Sequence, residues 1–582
     1  MHALDLPELV AYLAPFLSQK SLIKCIRVSQ HWHDAFVPHL WRTFRVTVPS
    51  TRSLFTLSSL DAHGPCVRDI SFKDLSVASD SSFFNLVFPH LQTLSLSFAA
   101  YRTDKALRTS AFEFLQRHRA QIKTLALFKP LSSMSEETSP RTRRRHDLMA
   151  EEALFIARSW KLLHGCHRLR SLTVENSPFW FDLVNEEVCR IVSQLDSLSL
   201  GNVGRNKFEM TADEQDDASV PSLSVPQGPQ WTLCPNDLSP HLAGRGNQGR
   251  TVKIQHLSLE YCSNLLEEYH LIKECQVELR SLKWVSAVHA DTIPPMARQL
   301  EEGMWPFLDS LQLRISGLQD KDIASILRAI GPLRVLNLSA TEFGASSTQA
   351  LLETEVFGLD GKTQKKHVGR LEKLLVGGCN NLTGAMVQRF LCELPHLKEI
   401  QAKVLTDQDL ENDTRPWVCQ DLRVFHLGIA LAVRPQENVD GGENGVSKDE
   451  GKTSHPRVFP FMERLSALTR LESLHITATR SGQDKTEGEF FLSSSQDRDQ
   501  RFELQKLHIS EGLEQLKTLR RLVQVRMEYT GQKMTMAEAT WMVEHWPRLE
   551  SVVLRQLTAI GRGDHDNIRA FFGQHQIPFG SS

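Results

Sequence analysis

The sequence predicts an α/β protein: a short N-terminal domain of three helices, followed by an irregular solenoid with parallel strands on its concave side and helices on its convex side. Apolar residues near the N-terminus recur at three- and four-residue steps, which is the spacing of amphipathic helices. From residue 67 onward a short apolar pattern recurs, and helix-like stretches lie between several of its copies. A strand and a helix that repeat together leave an apolar face on each unit, and stacked neighbours bury it.

The composition argues against several classes of protein. The 582 residues include 67 Lys or Arg and 69 Asp or Glu, so the net charge of −2 disfavours a general nucleic-acid or membrane-surface binder. No apolar run approaches the roughly 18 residues that a membrane span needs. The first residues lack the basic and apolar regions of a secretory signal, and the ten cysteines form no compact disulfide framework. These features predict reduced thiols and a cytoplasmic or nuclear location.

The first predicted helix lies within residues 4 to 17. Its apolar residues follow helical steps: Leu4, Leu6, Leu9, Leu13, Phe16 and Leu17. Asp5 can cap this helix, and Pro7 suits its first turn because the missing N–H costs nothing there. Pro15 should kink or end the helix.

Two further helices are predicted before residue 45. The second begins at Ser18 or Ser21, and it has an apolar stripe: Leu22, Ile23, Ile26 and Val28. The third carries Trp32, Ala35 and Phe36 and is expected to end near Pro38. Three short helices make a core too small to stand comfortably alone, so much of their apolar surface should face either the rest of the chain or a partner.

The ordered residues of this segment resemble an F-box. LPEL, FL, SL, RVS, W and PHLWR follow one another between residues 4 and 45, although Gln19 stands where the family has a proline. In that family the helices dock on the Skp adaptor of a cullin–RING ubiquitin ligase, so the resemblance implies an F-box over residues 1–48. It also implies a set of adaptor-binding residues: Leu6, Pro7, Leu9, Leu13, Leu17, Leu22, Val28 and Trp32.

The repeated pattern is an apolar residue, two mostly polar residues, an apolar residue, any residue and a final apolar residue. Its copies begin at these positions: Val67, Leu91, Ile122, Leu169, Leu195, Ile254, Leu279, Leu308, Leu333, Leu371, Leu397, Leu422, Leu471, Leu504 and Leu549. Six of the fourteen intervals between them are 24 to 26 residues long. Helical spacing precedes several copies, for example in residues 323–330, 386–394 and 541–546.

This combination resembles the leucine-rich repeats of F-box proteins over residues 67–557. The resemblance is strongest in residues 371–384, LEKLLVGGCNNLTG, where Cys379 stands at the place of the family's buried cysteine. Asn380 or Asn381 can bond the loop backbone there.

Residues outside the repeats have their own predicted roles. Residues 49–66 are expected to form a linker or a cap of the solenoid, and residues 558–582 a C-terminal tail or cap. Polar composition without an apolar face predicts loop insertions at 132–147, 205–250, 435–457 and 480–500.

Side chains alternate along a strand, so the residue between the last two apolar positions of a copy should point to the concave surface. This rule predicts a row of target-binding residues: Lys283, Gln312, Asn337, Gln401, His426, His475 and His508. The concave face is the usual binding surface of a solenoid, although an ordinary wet surface would have the same mixed polar character. Its histidines favour binding that changes at about pH 6 to 7.

No motif predicts an enzyme. Residues 244–249, GRGNQG, have the spacing of a dinucleotide-binding loop, but they lack the strand before and the helix after that such a site needs. His164, Cys166 and His167 have no C-x-x-C pair elsewhere to complete a zinc site. Residues 141–146 are interpreted as a solvated basic loop, with a nuclear import signal or a phosphate-binding patch as the alternatives. No catalytic residue, cofactor or metal site is predicted.

Two functions are compatible with these features. The resemblances imply a substrate-recognition subunit of an Skp–cullin–F-box ubiquitin ligase, whose partners are the Skp adaptor, cullin through that adaptor, and an unknown target protein. The alternative is a leucine-rich-repeat interaction scaffold with no ligase role, in which the N-terminal helices only cap the solenoid. Neither function involves a membrane or a specific nucleic acid.

Overall fold

A computed structural model gives the fold of the chain. The chain divides into two compact units, Met1–Val288 and His289–Ser582. In the part of the chain that the structure describes, no helix is both long and apolar enough to cross a membrane. The description covers these residues: 6–46, 57–72, 81–97, 105–128, 162–163, 165–175, 191–202, 253–262, 271–272, 275, 278–286, 305–357, 363–430, 459–478, 513–528, 534–555 and 562–581.

The first unit begins with three short helices, Pro7–Leu13, Gln19–Cys25 and Gln30–Trp41. A 3₁₀ turn, Ala14–Phe16, contains Pro15 and follows the first helix, so the predicted break there is confirmed. The second helix is capped by Ser18, whose hydroxyl accepts a hydrogen bond from the Ser21 N–H at 3.1 Å.

Two details of these helices differ from the sequence prediction. The third helix continues through Pro38 to Trp41, so the expected end near Pro38 is wrong. Pro38 lies close to the helix end, where its missing N–H removes only one backbone hydrogen bond. Asp5, the predicted cap of the first helix, lies outside the described residues, and Leu6 occupies the N-cap position.

The first unit contains a ladder of eight parallel strands within its described residues, hereafter the N-terminal ladder. In chain order its strands are β1 Thr43–Val46, β2 Asp69–Phe72, β3 Thr93–Ser97, β4 Thr124–Phe128, β5 Ser171–Glu175, β6 Ser197–Gly201, β7 His256–Glu260 and β8 Ser281–Ser286. Each strand pairs with the next one along the chain. Two further described helices accompany them, Leu57–His63 and Lys105–His118.

The second unit contains a ladder of nine parallel strands among its described residues, hereafter the C-terminal ladder. These strands are β9 Ser310–Ile315, β10 Val335–Asn337, β13 Lys373–Leu375, β14 Glu399–Thr406, β15 Val424–Ala430, β16 Ser473–Ala478, β17 Gln524–Glu528, β18 Ser551–Arg555 and β19 Phe579–Ser581. Neighbours in this order are paired in parallel. A separate antiparallel pair joins β11 Glu355–Phe357 to β12 Thr363–Lys365.

Helices connect most strands of the second unit. They are Asp320–Ala329, Ala345–Glu353, Gly384–Glu393, Asp407–Asn412, Phe459–Ser466, Met536–His545 and Arg562–Gln574. The expected helices within 323–330, 386–394 and 541–546 are therefore confirmed in place and type.

Buried and half-buried residues alternate along the strands of both ladders, which explains the sequence pattern. In β4, for example, Leu125 and Leu127 are buried, whereas Thr124 and Ala126 are half-buried. The buried residues form the core, and burying one leucine side chain contributes roughly 1.5–3 kcal/mol. The recurring spacing of apolar positions along the chain thus follows from the burial of one face of each strand.

The segment with the strongest repeat pattern has the predicted local contacts. Cys379 is fully buried, and its thiol donates to the Leu338 carbonyl at 3.1 Å. The side-chain amide of Asn381 donates to the Glu342 carbonyl at 3.3 Å, so the expected bond to loop backbone is present.

Fourteen of the fifteen predicted copies coincide with a parallel strand in the described residues, and the copy at Leu504 lies outside them. The mixed α/β solenoid-like fold is therefore confirmed. Three ladder strands were not predicted: Thr43–Val46, Gln524–Glu528 and Phe579–Ser581. The first of them follows directly on the third helix, so the N-terminal ladder begins before the first predicted copy.

Candidate functional site

The three N-terminal helices have a small core of their own. Its buried members are Val10, Ala14, Leu22 and Phe36. Trp32 packs against this cluster, with its ring centroid 5.5 Å from that of Phe36. The helices therefore bury only part of their apolar residues in a core of their own.

Many of the remaining apolar side chains of these helices are exposed. We call them the N-terminal apolar surface: Leu6, Leu9, Tyr12, Leu13, Phe16, Ile23 and Val28. Leu6, Leu9 and Leu13 stand three and four residues apart, which places them on one face of the first helix. Their exposed fractions are 40%, 40% and 39%, and that of Val28 is 63%, so a partner could bury substantial further area.

The predicted adaptor-binding residues divide into two groups. Four belong to the N-terminal apolar surface: Leu6, Leu9, Leu13 and Val28. Leu22 is buried in the helical core, and Leu17 and Trp32 are partly buried against it. These three therefore belong to the core of the helical domain and not to its exposed surface. Pro7 occupies the first turn of the first helix.

The predicted target-binding residues of the second unit lie in one row. In register, from β9 to β18, this outward row consists of Gln312, Asn337, Leu375, Gln401, His426, His475, Arg526 and Val553. All are half-buried, and neighbouring strands lie roughly 4.8 Å apart, so the row forms a continuous track. Five of the seven predicted residues belong to it, whereas His508 lies outside the described residues.

Four side chains form a compact cluster within this row and beside it. The rings of His426 and His475 stack with centroids 3.8 Å apart. His475 Nε2 lies 3.5 Å from Glu528 Oε2, and Arg526 Nε donates to Glu528 Oε1 at 2.7 Å. Glu528 is only 7% exposed, so Arg526 supplies the charge that a buried carboxylate requires.

The environment of the histidine pair disfavours protonation. Burial, followed by the neighbouring His426, lowers the pKa of His475 to about 4, although Glu528 opposes the shift. Burial also lowers the pKa of His426. Both rings are therefore neutral at pH 7, and the expected switch at about pH 6 to 7 is displaced to lower pH. The cluster therefore presents two neutral imidazole rings, which can form hydrogen bonds, beside the half-buried guanidinium of Arg526.

Lys283, the seventh predicted residue, belongs to the N-terminal ladder. Its Nζ lies 2.6 Å from Glu260 Oε1 on the adjacent strand. Burial, then Glu260, raises the pKa of the nearby Glu175 carboxyl. Lys283 is thus held in an ion pair within the first unit.

The structure adds residues to the outward row that the sequence rule did not name. Arg526 lies on β17, whose segment at 522–527, LVQVRM, has the same apolar spacing as the predicted copies. A search for that spacing could have found it. Leu375 and Val553 sit at the predicted position of their strands, although they were not among the predicted target-binding residues.

The described part of the chain contains no group of three or more His, Cys, Asp or Glu placed to hold a metal ion. Comparison with protein-family models and with curated proteins found no match to this chain. The resemblances to an F-box and to leucine-rich repeats therefore rest on the residues quoted above.

Proposed function

We propose that the protein is the substrate-recognition subunit of an Skp–cullin–F-box ubiquitin ligase. The N-terminal apolar surface docks the Skp adaptor, and the ladders hold a target protein. The observation that carries this proposal is the separation of two apolar sets in one small domain: one fills the helical core, and the other faces solvent.

The distribution of exposed apolar residues supports adaptor docking. Of the eleven large hydrophobic residues that are exposed in the described chain, seven lie between Leu6 and Val28. Concentrated exposed apolar area marks interaction surfaces, because each large side chain buried by a partner contributes roughly 1.5–3 kcal/mol when fully covered. A helical cap serving only the solenoid would instead bury Leu9 and Leu13, and this favours docking over the scaffold alternative.

The proposed mechanism is proximity and needs no covalent chemistry from this chain. The helices bring the chain to the ligase, and the outward row brings a target to the chain. Holding a target lysine near a charged ubiquitin-conjugating enzyme raises its effective concentration, which accelerates transfer. The half-buried polar track from Gln312 to Arg526 supplies varied hydrogen-bonding groups for target selection.

The test is co-purification of the full chain with the Skp adaptor. The double variant Leu9→Asp/Val28→Asp places charges on the exposed surface and leaves the helical core intact, so binding should weaken by at least about tenfold. Val87→Asp is the matched control, because Val87 is an exposed apolar residue of the same unit outside these helices. Unchanged adaptor binding by the double variant, with a normal melting temperature, would overturn the proposal.

A further inference from the structure

One edge of the N-terminal ladder carries a row of basic residues. The backbone N–H of the residue just before each strand donates to the carbonyl of the equivalent residue before the preceding strand. For example, the Arg68 N–H donates to the Arg42 carbonyl at 2.9 Å, and the Arg170 N–H donates to the Lys123 carbonyl at 2.8 Å. From β1 to β8 this row reads Arg42, Arg68, Gln92, Lys123, Arg170, Asp196, Gln255 and Arg280. We call its basic members, Arg42, Arg68, Lys123, Arg170 and Arg280, the basic edge.

The basic edge carries a strong excess of positive charge. Five of its eight row positions are basic and one is acidic, and all five basic side chains are exposed. Among the described residues, Arg170 alone of the five has an ion-pair partner, Asp196, at 3.9 Å. Since adjacent strands lie roughly 4.8 Å apart, the neighbouring pairs Arg42–Arg68 and Lys123–Arg170 sit close enough for their charges to reinforce one another's field.

Hydroxyl groups stand beside most of these cations. Thr43, Thr124, Ser171 and Ser281 directly follow Arg42, Lys123, Arg170 and Arg280, respectively, at the start of their strands. Thr124 and Ser171 are partners in register, so two cations and two hydroxyls meet where β4 pairs with β5. Guanidinium, ammonium and hydroxyl donors together are the groups that bind carboxylates in proteins.

We propose that the basic edge binds an extended segment of a partner protein that is rich in Asp and Glu. The charge of the row is complementary to such a segment, and an extended peptide lying across the strand ends can present a carboxylate to each cation. Asp196 interrupts the row and Asp69 directly follows Arg68, and a continuous phosphodiester backbone would meet these carboxylates unfavourably. A peptide can place a neutral residue opposite those two carboxylates, which favours a peptide over a nucleic acid.

The basic edge is distinct from the N-terminal apolar surface and from the outward row of the second unit. Its role goes beyond adaptor docking, because it assigns a partner chemistry to the first ladder. A chain that fails to bind the Skp adaptor would still bind an acidic segment here.

The experiment measures binding of a fluorescent twelve-residue peptide rich in Asp and Glu to the full chain by anisotropy. The double variant Lys123→Gln/Arg170→Gln should bind about tenfold more weakly, because it removes both cations at the β4–β5 pairing. Arg423→Gln is the matched control: Arg423 is an exposed arginine in the same position before a strand of the other ladder, and its affinity should stay within about twofold of the wild type. Wild-type affinity should also fall steeply as salt rises.

Three results would overturn the proposal. The wild type could fail to bind the acidic peptide better than a neutral peptide of the same length. The double variant could keep its affinity at an unchanged melting temperature. A single-stranded oligonucleotide of equal charge could bind more tightly than the peptide and depend on Lys123 and Arg170, which would assign the edge to nucleic acid.

Discussion

The two ladders bury their inner residues in the same way but differ in the row that precedes their strands. In the C-terminal ladder this row contains both acidic and basic residues: Asp309, Arg334, Glu372, Lys398, Arg423, Glu472, Val523 and Glu550. Arg334 Nε lies 2.9 Å from Asp309 Oδ2, and Lys398 Nζ lies 2.8 Å from Glu372 Oε1. The N-terminal ladder has mostly cations at the equivalent positions. Oppositely charged neighbours thus pair along part of one row, whereas the other row carries an excess of cations.

This difference shows that the fold places few demands on the strand edges. The inner leucines are set by the need to fill a core, whereas the residue before each strand remains exposed and contributes little to stability. The residues that precede the strands can therefore serve recognition in one ladder and only solubility in the other.

The largest expected difference is between substitutions of buried strand residues and substitutions of the residues that precede the strands. Leu172 and Leu374 are fully buried, one in each ladder, so Leu172→Ala and Leu374→Ala should each lower the free energy of unfolding by about 2–5 kcal/mol. Arg170→Gln, at the edge beside Leu172, should cost less than about 1 kcal/mol. Chemical denaturation measures all three. A comparable loss for Arg170→Gln would mean that the edge is structural.

A second prediction concerns a buried histidine in each unit. In the second unit, His367 Nδ1 accepts from the Leu333 N–H at 3.3 Å, and its Nε2 faces the Leu327 carbonyl at 2.9 Å. Burial is the main cause that lowers the pKa of His367 to about 4. In the first unit, burial also lowers the pKa of His118, whose Nε2 accepts from the Phe88 N–H at 3.0 Å.

Protonation of these rings therefore favours the unfolded chain. Because an unfolded histidine titrates near pH 6.5 and folded His367 near 4, the free energy of unfolding should fall as pH drops through that window, by up to about 3 kcal/mol. Equilibrium unfolding at several pH values measures the slope, and His367→Asn should flatten it. An equally steep slope in that variant would contradict the role of His367.

A third prediction concerns Asp320, which joins two helices of the second unit. Its carboxylate accepts from the backbone N–H groups of Gly344, Ser346 and Ser347 at 2.8–3.0 Å, which caps the helix Ala345–Glu353. Burial alone would raise the pKa of Asp320, but hydrogen bonds from Ser347, Ser346 and Gly344 outweigh it and lower that pKa.

Removal of this carboxylate should destabilise the second unit. Asp320→Ala should cost about 1–3 kcal/mol at pH 7, and Asp320→Asn less, because an amide oxygen still accepts. Since the folded pKa is lowered, the contribution is present above the unfolded pKa and is lost as pH falls through the folded one. Thermal melts at pH 7 and at pH 3 measure this. An alanine variant that melts like the wild type at pH 7 would contradict it.

The smallest expected effect on stability concerns the charged row that precedes the strands of the C-terminal ladder. Glu372→Gln removes the pairs with Lys398 at 2.8 Å and with Arg334 at 3.6 Å. These groups are substantially exposed, so the cost should be below about 1 kcal/mol and should vanish in high salt. Urea unfolding at low and high salt detects it. A larger, salt-independent loss would mean that this edge is structural and that the two ladders differ for another reason.

The sequence predicted the parts of the molecule that depend on burial. The strands at Leu371, Leu397 and Leu422 follow from apolar spacing, because only one face of each strand is inside. The second helix was predicted to begin at Ser18 or Ser21, and Ser18 caps it, because its hydroxyl accepts a hydrogen bond from the Ser21 N–H.

Features that depend on contacts between distant residues could not be predicted in this way. The bonds of His367 to Leu327 and Leu333 join residues more than thirty positions apart. The stacked pair of His426 and His475 was predicted as two row members, but its low pKa values arise from burial that no local pattern reveals. The basic edge required the register of the strands before its residues could be recognised as neighbours.

We propose that the N-terminal helices keep an apolar surface for an adaptor. Hydrogen exchange of the full chain, with and without the Skp adaptor, tests it most directly. Slower exchange should appear in residues 6–41, where the exposed apolar residues lie, while amides of both ladders exchange as before. Unchanged exchange in residues 6–41, or protection confined to the ladders, would contradict the claim.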